Sequence, residues 1–488
     1  MNVLILSNGA PNYHHFFNQL GVLLKNDGAK ICIAVDSELS RDANDLDFLG
    51  FQVYEFSSYF RQHEIRHDLL ERYNKYNLNA MLLSDFERAE VYGIWGDKKA
   101  DYLTRLLSAL ICFYEDIFDS NNIDYVLYEN VSNTFSHVAW AVATEHGKQY
   151  LGIGGSRIPG RFSISSNPLE DSRQNMFFNL IDNGDLDVPE EVMKWSESYI
   201  ENIDNVVPDY MKINGLDKIE ITKRYFNKDK FSVVKRVLKH ARDDAYHSFQ
   251  SGNPLLTYFN LFKRNVYRKL KTKRLTHYYD AVNPDIDNFL LYPMHFHPES
   301  STSILSGTYL NEYEVIRNIA FNLPQGMILY VKDHISAWGY PSLDFYTKLK
   351  SLPNVRVLAP TENTKALIKK SSAIITLTST VGYEALLLGK KVFLFGRVFY
   401  ENHKDVVKIT SPANLFDILQ SNLDEVKFDK TYAIKFVVSC YLATYPGIMN
   451  LMLTDEAAAK KAEDIYCTVL KEIIFSKINA NENTTLWL

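Results

Sequence analysis

The run 373–396, Ala-Ile-Ile-Thr-Leu-Thr-Ser-Thr-Val-Gly-Tyr-Glu-Ala-Leu-Leu-Leu-Gly-Lys-Lys-Val-Phe-Leu-Phe-Gly, leaves this chain few folds to choose from. Residues 373–377 are an apolar, β-rich run too short for a helix. Thr378, Ser379 and Thr380 suit a helix N-cap, and 381–388 is helix-compatible. Gly389 suits the left-handed residue that ends a helix, and 392–395 resumes as a buried strand. Strand, sharp turn, short helix and strand make one step of a parallel α/β sheet. Free backbone N–H groups at such a helix start face the crevice where α/β proteins bind anions. Glu384, inside the helix, is either a solvated residue or an acceptor for a sugar hydroxyl.

The same alternation runs through both halves of the chain. Strands are predicted at 2–7, 30–35 and 52–56, with helices at 13–25 and 40–49, the latter capped by Ser40. The stretch 59–82 reads as charged and helical. A strongly amphipathic helix follows at 101–118, then a strand at 124–129, a helix at 133–146 and a strand at 150–154 opening into a loop over 155–161. Residues 180–280 carry no clear strand and read as helices, with amphipathic stretches at 231–249 and 255–271. From 289 the α/β pattern returns: strands at 289–294, 327–332 and 355–358, helices at 309–321, 343–351 and 364–370, then the opening run. A further element at 415–420 and helices at 429–443 and 455–475 follow. The predicted division is a Rossmann-like domain over 1–180, a helical basic connector over 181–285, a second Rossmann-like domain over 286–428, and C-terminal helices and tail over 429–488.

Bulk properties exclude several classes. The net charge of −6 makes no general case for nucleic acid. The charge is uneven: 221–280 holds 15 Lys and Arg against four Asp, a net of +11, leaving −17 elsewhere. Four widely spaced cysteines, at 32, 112, 440 and 467, suggest buried thiols in a reducing compartment, not a disulfide frame or a zinc site. No run reaches the roughly 18–20 apolar residues of a membrane span. The N-terminus enters a strand without a signal sequence. A cytoplasmic protein is expected, with peripheral contact at the inner membrane as an added possibility through the basic helices of 223–274. A solvated charged face explains those helices equally well.

Three loops of the second half fall at C-terminal strand ends. In Pro293-Met-His-Phe-His-Pro-Glu-Ser-Ser-Thr302, His295 and His297 alternate, and Glu299 is a candidate acid–base or nucleophilic group with His295 beside it. A metal would need a third nearby ligand, which the sequence does not supply, so none is expected. A surface turn is the plain alternative. In the second loop Lys332 and His334 alternate and would share one side, a cation and an imidazole suited to a phosphate or a carboxylate. The third is the opening run, where Ser379, Thr380 and the helix N–H groups suit a phosphate and Glu384 a ribose. In the first half, Glu129 ends a strand as a candidate acceptor-side base. Arg157 and Arg161 are candidates for an anionic acceptor or a donor carboxylate, and Asn8 and His14 for acceptor contacts. Structural roles explain these four equally well.

Together, Pro293-Met-His-Phe-His-Pro-Glu-Ser, Lys332-Asp-His334 and Ser379-Thr-Val-Gly-Tyr-Glu-Ala-Leu with Gly389 resemble the bacterial capsule polysaccharide biosynthesis family, which includes Kdo transferases. The resemblance implies a GT-B fold: two Rossmann-like domains facing a cleft, with nucleotide held mainly by the second. It implies a donor that is a CMP-linked 2-keto sugar acid, Kdo or a nonulosonic acid. The acceptor would be a surface polysaccharide or its lipid-linked precursor. It places Glu299 where relatives carry a catalytic Asp, and Lys332 and His334 on a Lys-x-His-Pro phosphate element. Ser379 and Thr380 fall at the nucleotide phosphate, Glu384 at the ribose, and Gly382 within the same nucleotide-sugar site. The chain departs from the pattern with Glu at 299, with His295 where several relatives have Gln, and with Ile335 in place of Pro. The expected activity is metal-independent glycosyl transfer without a cofactor beyond the nucleotide sugar. A UDP-hexose transferase and a non-catalytic glycan-binding protein are the competing readings.

Overall fold

The computed structural model describes residues 1–91, 100–213, 236–243, 247–297 and 299–475. They form two compact α/β units. The first comprises the described residues of Met1–Pro168 and Pro208–Leu261 with those from Thr444 on; the second comprises Leu169–Val207 and Phe262–Ala443. These are two Rossmann-like domains, the content of a GT-B protein, and the expected fold class is present. The units interleave along the chain and do not follow the four successive segments read from the sequence. Helices at Ser172–Asn183 and Glu190–Glu201 pack on the helix Lys430–Leu442, where Gln174 donates to Ser439 Oγ at 2.8 Å and Phe178 meets Phe436. Segments assigned from the sequence to the end of the first domain, to the connector and to the C-terminal helices therefore join the second unit together.

In the first unit the strands are β1 (Asn2–Ser7), β2 (Lys30–Val35), β3 (Gln52–Glu55), β4 (Tyr125–Glu129), β5 (Gln149–Gly155), β6 (Arg161–Ser165) and β13 (Tyr445–Pro446), in the order β13-β6-β5-β4-β1-β2-β3. Pairings from β3 to β5 are parallel, and β6 and β13 add antiparallel. The chain steps outward from β1 in one direction and returns to β4 on its other side, so the sheet's switch point lies between β1 and β4. Three local predictions change. The loop over 155–161 is a hairpin turn, because β5 extends to Gly155 and β6 returns beside it. Ser37, not Ser40, caps the helix Glu38–Ala43, accepting the Ser40 N–H at 3.2 Å. The stretch 59–82 breaks into Phe56–Gln62, His67–Arg72 and the start of Leu78–Val91.

The second unit holds β7 (Phe289–Pro293), β8 (Ile328–Lys332), β9 (Val355–Leu358), β10 (Ala373–Thr376), β11 (Val392–Leu394) and β12 (Val406–Lys408), all parallel, in the order β12-β11-β10-β7-β8-β9. β12 was not foreseen. Leu290, Tyr292, Leu329, Val331, Ile375 and Phe393 are fully buried and form the core with the covering helices. Here the switch point lies between β7 and β10, so the loops after these strands flank one crevice. The helix Thr380–Leu387 ends as expected: Gly389 is left-handed (φ 74°), its N–H donates to the Leu386 carbonyl and that of Lys390 to Ala385.

Candidate functional site

The second unit's switch point is pinned by His295. Its Nε2 accepts the Thr378 backbone N–H at 3.2 Å and lies 3.2 Å from Thr376 Oγ1. Because a backbone N–H can only donate, Nε2 is the unprotonated nitrogen and Nδ1 carries the hydrogen. Nδ1–H donates to Glu312 Oε1 at 3.1 Å, and the His295 backbone N–H reaches the same oxygen at 2.7 Å. Burial pushes the imidazole down to about 3 and pushes the Glu312 carboxyl up. Both ring nitrogens of His295 are thus occupied and the ring is neutral. The acid–base role read from its position beside Glu299 is corrected to a positioning one: His295 ties the loop after β7 to the loop after β10.

His297 is the histidine left available. Its Nε2 is buried and finds no partner among the described residues, and burial lowers its affinity for a proton. An orphaned buried polar atom at a crevice calls for a ligand. Glu299 follows, with its side chain exposed and its carbonyl accepting the Ser303 N–H at 2.9 Å, at the start of the short helix Ser300–Ser303.

The loop after β8 brings Lys332 and His334 to the neighbouring strand end. Lys332 is buried, donates from Nζ to the Pro360 carbonyl at 3.0 Å, and is pushed down to about 8 by burial, against the opposing charges of Asp333 and Glu362. His334 Nδ1 accepts the Ser336 N–H at 3.2 Å. Burial first, then His295, Lys332 and His297, hold His334 down to about 4. It is therefore a neutral ring offering Nε2–H, and the expected pair of cation and imidazole is one cation and one neutral donor. The loop is braced by Asp333, which accepts from Tyr279 at 2.8 Å, Tyr346 at 2.7 Å and the His334 N–H at 2.7 Å. The sequence reading missed Asp333 and Glu312; a charged residue amid a predicted strand end or first helical turn was the signal.

Ser379 caps the helix Thr380–Leu387, its Oγ accepting the Val381 N–H at 3.2 Å. Thr380 and Glu384 are half-buried on the same helix. Gly382 serves packing: a Cβ there would lie 2.4 Å from Tyr400 Oη, which donates to the Ser379 carbonyl at 2.5 Å. Close approach of a buried tyrosine, not a phosphate, requires that glycine.

In the first unit Glu129 stands at the switch between β1 and β4. Ser132 Oγ donates to its Oε1 at 2.8 Å, and the Tyr13 hydroxyl bonds to it, with burial first and then Glu129 raising Tyr13. Asn8 is structural: its Oδ1 accepts the Ala10 N–H at 2.9 Å and its carbonyl accepts from Asn44. His14 is held down to about 4, by burial and then His15, and its Nδ1 has no partner among the described residues. Arg157 lies half-buried in the β5–β6 turn. Arg161 donates to Thr444 Oγ1 at 2.9 Å and to the Thr444 carbonyl, joining β6 to the residue that enters β13. That contact gives it a structural role in place of the anion-binding one.

Among the described residues the one trio with metal-ligand spacing is Glu115, Asp119 and His146, away from these loops. Glu115 there is already bound by Tyr73, Arg72 and His146.

The second unit is thus a Rossmann-like α/β domain with two polar loops flanking its switch point and a third at the next strand end. The profile of the capsule polysaccharide biosynthesis protein family matches residues 211–404. The beta Kdo 2,4 transferase KpsC of Thermosulfurimonas dismutans is similar at 16% identity and a TM-score of 0.33, over 65% of this chain and 79% of that one. The beta Kdo 2,7 transferase KpsC of the same organism is similar at 11% identity and a TM-score of 0.35, over 72% and 89%. The UDP-GlcNAc 2-epimerase of Neisseria meningitidis is similar at 14% identity and a TM-score of 0.22, over 96% and 100%. No curated protein matches the chain.

Proposed function

We propose that the chain is a glycosyltransferase of capsule biosynthesis, moving a 2-keto sugar acid from a CMP donor to a surface polysaccharide or its lipid-linked precursor. The observation that carries this reading is the convergence of His297, Lys332, His334 and the Ser379-capped helix start on one switch point, with exposed Glu299 at its rim. The departing CMP phosphate meets donors already in place: the Lys332 ammonium, neutral His334 Nε2–H and the first N–H groups of the helix Thr380–Leu387. Preorganised donors stabilise developing charge without needing a metal. The orphaned His297 nitrogen is positioned for the sugar acid. Glu384, one turn into the helix, takes the ribose hydroxyls.

Glu299 acts as nucleophile on the anomeric carbon if configuration is retained, or as base on the acceptor hydroxyl if it is inverted. Calorimetric titration with CMP and UDP tests the donor: binding of CMP at least tenfold tighter supports it, and a preference for UDP overturns it. Glu299→Gln is expected to slow transfer by about 10²–10⁴-fold while leaving CMP affinity within about twofold. Unchanged turnover removes Glu299 from the chemistry. A glycosyl adduct on Glu299 in intact mass spectra assigns the retaining course.

A further inference from the structure

The helix Pro254–Leu275 is built inside out. On a helical projection Leu255, Phe259, Phe262, Val266 and Leu270 fall within an arc of about 80°, and Arg264, Arg268, Lys271 and Leu275 within about 60° on the opposite side. In an ordinary surface helix the apolar arc faces the protein. Here it faces outward: Phe259 is 62% exposed, Phe262 68% and Leu270 58%. Among the described residues, eight of the eighteen exposed large apolar side chains lie on this one helix, so the exposure is concentrated and not scattered.

The basic side faces inward. Arg264 and Arg268 stack on Tyr340 at 4.5 and 4.2 Å, Arg268 donates to the Trp338 and Ser336 carbonyls, and Lys271 to those of Tyr340 and Pro341. Gly339, left-handed at φ 79°, lets the helix come so near that a Cβ would lie 2.8 Å from Thr272. The helix is held by its cations, and its apolar arc is left without a protein partner among the described residues.

Charge decides the occupant. The helix carries seven Lys and Arg and no acid. Lys263, Lys273 and Arg274 are exposed on or beside the apolar arc. Tyr258 and Tyr267 flank it, as amphipathic rings do at a lipid–water boundary. An apolar protein groove would not match this ring of cations, whereas an anionic lipid surface matches both features. We infer that this helix lies in the headgroup layer of an anionic membrane, with Phe259, Phe262, Val266 and Leu270 entering the acyl boundary. The inference stands on the helix itself and does not rest on the transferase reading.

The test is sedimentation of the full chain with vesicles of equimolar phosphatidylglycerol and phosphatidylcholine, and with phosphatidylcholine alone. Binding to the mixed vesicles is expected, at least about tenfold tighter than to the neutral ones. Lys263→Gln with Lys273→Gln should weaken it by roughly fivefold per charge. Phe259→Glu with Phe262→Glu should weaken it by about tenfold or more, with an unchanged circular dichroism melt because both rings are exposed. In a Phe262→Trp chain, lipids brominated near the headgroup should quench the added fluorescence. A chain that stays in the supernatant with both vesicle types overturns the inference. So does vesicle binding indifferent to both double variants. A wild-type dimer that Phe259→Glu with Phe262→Glu converts to monomer, without Phe262→Trp quenching, assigns the face to a second copy instead.

Discussion

Replacing His295 with glutamine should produce a protein weaker than wild type at neutral pH and stronger in mild acid. At pH 7.5 the imidazole holds the Thr378 N–H and donates to Glu312. A glutamine amide offers one acceptor and one donor, so the expected loss is imperfect geometry, up to about 1.5 kcal/mol. His295→Leu leaves the Thr378 N–H unpaired and removes a donor from buried Glu312, at about 1–3 kcal/mol each. Acid reverses the order. Burial lowers His295 to about 3 in the folded chain, against 6.5 as its ordinary value. Between these values the unfolded chain holds a proton that the folded chain lacks. Stability therefore falls as pH drops below 6.5, by about 1.4 kcal/mol per pH unit from this one group. Glutamine has no such term. The two stability curves should cross near about pH 5.5, one unit below the ordinary histidine value. Urea unfolding followed by circular dichroism at half-unit pH steps measures the difference. A gap that stays constant from pH 7.5 to 4.5 would show that His295 is not held neutral, and would refute the assignment of both its nitrogens.

Three further perturbations separate packing from binding. Gly382→Ala drives a methyl to 2.4 Å from Tyr400 Oη; an overpacking cost of about 1–3 kcal/mol should outweigh the roughly 1 kcal/mol gained in helix propensity. Tyr400→Phe in the same chain should recover part of that loss in thermal melts, and a purely additive pair would deny the clash. CMP binding should weaken as pH rises through about 8, where Lys332 loses its proton; in Lys332→Met the titration should be flat from pH 7 to 9. Arg161→Ala should lower the melting temperature through the lost Thr444 contacts and leave CMP affinity unchanged.

The fold was legible where strands are buried on both faces. Such strands read as short apolar runs, as at Ile374-Ile375 and Leu290-Leu291, and the helices between them keep the 3.6-residue period. β6 was illegible because its outer partner is a two-residue strand, β13, lying some 280 residues further along, which no local pattern announces. The grouping of 169–207 with the second unit was hidden for the same reason: Gln174 and Ser439 meet only in three dimensions. At the site, loop positions could be read, since they follow strand ends. Side-chain roles could not. The choice between His295 and His297 depends on Glu312 and Thr378, 17 and 83 residues away, which occupy one ring and leave Nε2 of the other without a partner among the described residues. Gly382 was read as part of the nucleotide-sugar site because the sequence does not reveal Tyr400 beside it.

The pairing of β7 with β10 joins Leu290 to Ala373 and Leu291 to Ile374, whereas β7-β8-β9 and β10-β11-β12 each pair between successive strands. Loop-closure entropy makes such a distant seam costlier to nucleate than the steps on either side. During synthesis, the half-sheet from β7 to β9 can form while β10 is still inside the ribosome, yet it holds no crevice. His295 then has neither Thr376 nor Thr378 to bind, and the helix start that faces the crevice does not exist. Nucleotide affinity should therefore arise in a single step, once the seam closes. Chains released short of residue 388 should be nucleotide-blind however well their first strands have folded.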